Sequence, residues 1–253
     1  MKRGIIIFLV LIAICSLFVI HYNSHTGIII SQILKKGDIR PGELRYAVNF
    51  LNLLPVGEAV FGLSNEDELQ GNNAYHLSAK AKTLGIYSRF FVAQAYLDSY
   101  LDKATLNPMV FRQRLSIKGK EDIVKEVFYD QQKHIMSIDG IQRQILPDTQ
   151  DPLSAIYHIK NMDFTQNKEF SLNINTNQKN YILRGTSELK SVSIKGKICR
   201  LVLIKASITR RDKNPYHKSH ISMILLQEKE NIPILMKVFA SGILINIRLT
   251  EIK

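Results

Sequence analysis

The chain has no tryptophan and only two cysteines among its 253 residues. Cys15 lies in an apolar N-terminal run and Cys199 stands alone in the rest, so no disulfide can staple the main body of the chain. The same scarcity excludes a four-thiolate zinc site and paired-cysteine redox chemistry. A glycine-rich phosphate loop, a dinucleotide fingerprint and a nucleophile-elbow motif are also missing. What the chain does have begins at its first residues.

Met1-Lys2-Arg3 is followed by an uncharged run from Gly4 to Ile20. As a helix this run would rise roughly 26 Å, a little short of the roughly 30 Å hydrocarbon core of a bilayer. Basic residues before an apolar segment stay on the cytoplasmic side and place the remainder outside. The same layout fits a secretory signal peptide. Cleavage after Ser24 would put Tyr22 where a small residue is needed, and Ile14 stands where a lipoprotein signal before Cys15 wants a small one. An uncleaved anchor is therefore favoured over a cleaved signal. The expected organisation is a signal anchor or signal peptide over 1–25, a linker over 26–40 with a helical piece around Ile28–Lys36, and an exported domain over 41–253. This predicts a bacterial cell-envelope protein: single-pass in the inner membrane with a periplasmic domain, or periplasmic if the leader is cleaved.

The formal net charge is +12. Between Lys179 and His220, eleven Lys and Arg face only Glu188 and Asp212. The leader argues against nucleic acid as the partner, as does the absence of regularly interleaved aromatics. Outside a membrane the polyanions are phospholipid headgroups, lipopolysaccharide and acidic polysaccharide. A solvated strand face that protects edges from aggregation accounts equally well for the same charges.

From Glu43 onward the dominant period is two. Tyr46, Val48 and Phe50 alternate with Arg45, Ala47 and Asn49, and after a turn at Pro55 and Gly57 a second run carries Ala59, Phe61 and Leu63. Gly71-Asn72-Asn73, Lys118-Gly119-Lys120 and Lys195-Gly196-Lys197 are hairpin signals. Ile86–Leu101 is rich in aromatics and its class is not fixed by periodicity. Cys199–Ile208 is apolar enough for a central strand, and Ile243, Ile245, Ile247 and Leu249 form a stripe near the end. One segment departs from the period: Asp151 can cap a helix whose first turn holds Pro152, with Leu153, Ile156 and Tyr157 on one side. The expected fold is mainly β, a single curved antiparallel sheet or half-open β-barrel with a short helix packed against it or plugging it.

Catalytic chemistry finds no foothold, and the chain is not read as an enzyme. His217 and His220 lie three apart in a basic, proline-containing stretch without the carboxylates that would complete a metal site. Ser154, Asp151 and His158 are close in sequence, whereas triad members come from separated elements. Asp98, Asp102, Asp130, Asp139 and Asp151 offer too many pairs to single out a glycosidase couple. No catalytic residue, metal or cofactor is expected.

Gly42-Glu43-Leu44-Arg45-Tyr46, Gly57-Glu58-Ala59, Tyr75 to Thr83 with Gly85, Asp98-Ser99-Tyr100-Leu101-Asp102 with Pro108, Phe128-Tyr129-Asp130, and Asp151-Pro152-Leu153-Ser154-Ala155-Ile156-Tyr157 follow one another in order. Together they resemble the bacterial domain of unknown function 3108 family over roughly Pro41 to Lys253. Met223-Ile224-Leu225 stands where that family often carries a tryptophan-containing strand. The resemblance implies an exported, β-rich domain and no established reaction.

The leading expectation is a non-catalytic module that binds or carries an amphipathic or anionic envelope ligand, a lipid, lipopolysaccharide or polysaccharide. Tyr87, Phe90, Phe91, Tyr96, Ile243 and Ile245 are the candidate lining, and Arg184, Arg210 and Arg211 the candidate contacts to an anionic group. The alternative is a scaffold contacting another envelope protein, and a polysaccharide-acting enzyme ranks below both. The membrane is reached through the N-terminal helix, and the oligomeric state is left open.

Overall fold

The computed structural model describes residues 42–51, 54–69, 72–89, 92–176, 178–194, 196–211, 219–228, 230–240 and 242–253. The leader, the linker with its expected helical piece, Phe90, Phe91 and His217 lie outside the described residues. The strands are β1 (Glu43–Phe50), β2 (Leu54–Leu69), β3 (Asn72–Thr83), β4 (Ala93–Asp102), β5 (Pro108–Ile117), β6 (Ile123–Asp130), β7 (Ile135–Ile138) and β8 (Ile141–Gln144). After helix α1 (Pro152–Lys160) come β9 (Lys168–Thr176), β10 (Lys179–Ile194), β11 (Lys197–Arg210), β12 (Ser219–Gln227), β13 (Asn231–Ala240) and β14 (Ile243–Ile252). Among the described residues no helix is long and apolar enough to cross a membrane.

The fourteen described strands form one antiparallel sheet in the order β8-β7-β6-β5-β4-β3-β2-β1-β14-β13-β12-β11-β10-β9. The first and last strands of the chain are therefore partners, with Tyr46 opposite Leu249 and Val48 opposite Ile247. The free edges are β8 and β9, bridged by the segment after β8 and by side-chain bonds to β8 itself. The Gln150 N–H donates to the Asn173 carbonyl and the Gln150 carbonyl accepts from the Asn175 N–H, both at 2.8 Å. Arg143 Nε donates to Gln178 Oε1 at 2.9 Å, and Asn173 Nδ2 to the Pro147 carbonyl at 2.8 Å. The sheet is thus curved and not closed, with a seam held by side chains and one isolated bridge.

Two local readings shift. Pro55 and Gly57 are not the turn but the first residues of β2, with a bulge between Val48 and Asn49 on the facing strand. Proline is tolerated there because a strand start and a bulge both spare it a ladder bond. The stretch Ile86–Leu101 divides into a 3-10 turn, Gly85–Arg89, and the paired strand β4. The hairpins expected at Gly119 and Gly196 are present, each with the glycine near φ +79.

The core falls into two clusters on either side of α1. One gathers Leu172, Leu183, Ile204, Met223, Leu225, Met236 and Leu249 with Ala155 and Ile159 of the helix. The other gathers Leu77, Leu101, Phe111, Tyr129 and Met136 with Leu153. The helix lies inside the curve of the sheet as a post between them. Strand β11, paired on both edges with β10 and β12, buries the face of Val202, Ile204 and Ala206, while Lys205 on the other face is exposed.

Candidate functional site

The helix is held at its start by a carboxylate with no access to water. Asp151 Oδ1 accepts from the N–H groups of Leu153 at 2.7 Å and Ser154 at 2.9 Å, while Ser99 Oγ of β4 donates to Oδ2 at 2.6 Å. Ser154 Oγ accepts from the Asp151 N–H at 2.9 Å, completing a reciprocal cap. Burial pushes the Asp151 carboxyl above the ordinary range, against the downward pull of these hydrogen bonds. The Ser154 hydroxyl is committed to the backbone of its own cap. His158, on the same helix, is held below the usual imidazole range by burial. Among the described residues no group of three His, Cys, Asp or Glu could hold a metal ion.

Beside α1 an apolar cleft of about 70 Å³ opens between the helix and strands β1, β2, β3 and β13. Leu44 and Tyr46 reach it from β1, Phe61 and Leu63 from β2, and Ile156, Tyr157 and Lys160 from the helix. Strand alternation puts Leu44 and Tyr46 on the inner face; helical spacing brings Leu153, Ile156, Tyr157 and Lys160 into one stripe. Tyr46 and Phe61 meet edge to face with ring centroids 5.3 Å apart. The Tyr46 hydroxyl donates to the Pro233 carbonyl at 2.9 Å, and burial raises its pKa well above that of a free phenol. Tyr46→Phe leaves that carbonyl without its donor and is expected to cost about 1–2 kcal/mol in urea unfolding.

Among the described residues, Lys160 is the one cation lining this cleft. Its side chain is 11% exposed, and Nζ bonds Glu230 Oε2 at 2.8 Å while lying 5.7 Å from the centre of the Tyr157 ring. The backbone carbonyl of Lys160 accepts from Asn231 Nδ2 at 2.8 Å, which ties the helix end to the start of β13. Sequence reasoning passed over this residue. Its signal was an apolar helical stripe, Leu153-Ile156-Tyr157, whose next member is a lysine.

Of the candidate lining and anion contacts named from the sequence, Tyr96, Ile243, Ile245, Arg184, Arg210 and Arg211 do not line this cleft. Tyr87 lies in the 3-10 turn after β3. Tyr96 alternates with the inward Leu97 and bonds Gln94 Oε1 at 3.0 Å on the exposed face of β4. Ile243 and Ile245 begin β14, where Ile243 is exposed. Arg184 and Arg210 have opposite parity: Arg184 is in a shallow groove with Lys205, Ser207 and His220, while Arg210 shares its strand face with Ile204 and Ile208. Arg211 donates from Nη2 to Asn173 Oδ1 at 2.9 Å. The arginines therefore do not form one rim.

A family model described as a protein of unknown function, DUF3108, matches residues 45–242. The chain belongs to this family. The DUF3108 fold is similar to the crystal structure of a β-barrel-like protein of domain of unknown function DUF1849 from Brucella abortus. The two share 9% identity with a TM-score of 0.56, over 83% of this chain and 96% of that one. That likeness shows a shared fold alone. No curated protein matches the chain.

Proposed function

We propose that this DUF3108 chain is a non-catalytic envelope protein that binds an anionic amphiphile, with the ligand's apolar end in the cleft beside α1 and its anionic group at Lys160. The observation that carries this reading is a nearly buried lysine closing an otherwise apolar cleft. A cation in that position stabilises an anion far more than a surface lysine does, because little water screens it. An anionic head displaces Glu230, which is 42% exposed and returns to solvent at small cost. The apolar lining favours a lipid over a polysaccharide, and its volume of about 70 Å³ takes the end of a chain rather than the whole of one. On this reading the domain works on the periplasmic side of the inner membrane, delivered there by its leader.

The test compares a fluorescent fatty acid with its neutral alcohol. Lys160→Met should weaken binding of the acid about tenfold, equivalent to about 1.4 kcal/mol, and leave the alcohol unchanged. Equal losses for both probes, or no binding of the acid by the native chain, would sink the proposal.

A further inference from the structure

Because the sheet is two meanders, β1–β8 and β9–β14, joined where β1 pairs with β14, its hairpins sort to two ends. The turns β1–β2, β3–β4, β5–β6 and β13–β14 share one end; β2–β3, β4–β5, β10–β11 and β12–β13 share the other. The described large apolar side chains that are exposed do not sort evenly. Leu51, Leu54, Leu84, Ile123, Val124, Ile141, Phe239 and Ile243 are each 37% exposed or more, and all stand at the first end. Toward the second end, among the described residues, stand Ile198 and Phe128.

Leu51 is the telling member of this crown. It holds φ +51, a conformation disfavoured for a leucine and suited to Gly or Asn, while 47% exposed. Leucine there is neither the residue the turn prefers nor one that the core fully buries. The turns are also locked to one another, by Leu51 N–H to the Leu244 carbonyl at 3.0 Å and Leu84 N–H to the Val56 carbonyl at 3.0 Å. Arg89, Lys118 and Lys120 are exposed cations at the same end, facing Glu121 beside them and Asp122, which pairs with Arg114.

We infer that this crown docks on an anionic lipid surface, with the apolar tips entering the interface and Arg89, Lys118 and Lys120 among the headgroups. Apolar side chains on separate protruding turns, flanked by cations, suit shallow insertion into lipid; a protein partner calls for a contiguous apolar patch. Charge complementarity selects anionic over zwitterionic lipid. The inference does not depend on the cleft, so Lys160→Met should leave docking unchanged.

The absence of tryptophan supplies the probe. The full chain is reconstituted in vesicles carrying a single Phe239→Trp, or Ile198→Trp at the opposite end, with lipids brominated high in the acyl chain. Phe239→Trp should be quenched and blue-shifted in phosphatidylglycerol vesicles but not in phosphatidylcholine, and Ile198→Trp in neither. Changing Arg89, Lys118 and Lys120 together to Gln should weaken the quenching at least about tenfold in lipid concentration. Equal quenching at both positions, quenching indifferent to lipid charge, or none at Phe239→Trp overturns the inference. A concentration-dependent blue shift without lipid would assign the crown to self-association and overturn it as well.

Discussion

Asp151→Ala is expected to lower the unfolding free energy by about 3 kcal/mol, combining a lost helix cap with a buried donor left unpaired. The cap alone is worth less. Here the same carboxylate also receives Ser99 from β4, so its removal loosens the helix from the sheet and exposes two helix N–H groups to an apolar interior. Asp151→Asn keeps an acceptor for those N–H groups and should stay within about 1 kcal/mol of the native chain at neutral pH. The pair also isolates a pH effect. The folded carboxyl holds its proton more tightly than the unfolded one, whose value is near 3.8. Ionisation therefore opposes folding, fully at pH above the folded value and not at all below the unfolded one. Relative to Asp151→Asn, the native chain should gain stability as pH falls through that window, as read by urea unfolding at several pH values. The comparison cancels Asp102 and Asp130, whose hydrogen-bonded carboxyls are held low and weaken the fold in acid.

Gly57→Ala should be comparably severe, at about 3 kcal/mol. A Cβ at Gly57 would lie 2.4 Å from the Lys82 carbonyl oxygen, a backbone atom of the paired strand that cannot swing aside. Relief requires β2 and β3 to part at their hydrogen-bonded register, where Gly57 faces Thr83. Gly42→Ala is the control, since its Cβ would meet the Lys253 carbonyl at an ordinary 3.8 Å, and it should change stability by no more than about 0.5 kcal/mol. Thermal and urea unfolding of the two variants side by side check the contrast.

Gly57 also shows how far local reading goes. Beside Pro55 it looks like a turn, because both residues punctuate chains. In the fold it is a close approach between two strands, which depends on a partner some twenty-five residues away. The helix cap fared better. Asp151, Pro152 and the stripe after them are local chemistry, and α1 begins where they place it. The candidate binding residues were chosen for being aromatic or basic. Those properties do not say which face of a strand a side chain takes, and Arg184 and Arg210 went to opposite ones.

By itself the sequence determined a mainly antiparallel sheet, its best-marked hairpins and its single capped helix, along with the family to which the chain belongs. These follow from alternation, turn residues and capping, which act between residues a few positions apart. Only the tertiary structure decided that β1 pairs with β14, that the seam between β8 and β9 stays open, and that Lys160 rather than the arginines closes the apolar cleft. Those outcomes depend on which strands meet across the whole length of the chain, and on how an inward helix divides the space they enclose. No short-range pattern encodes either.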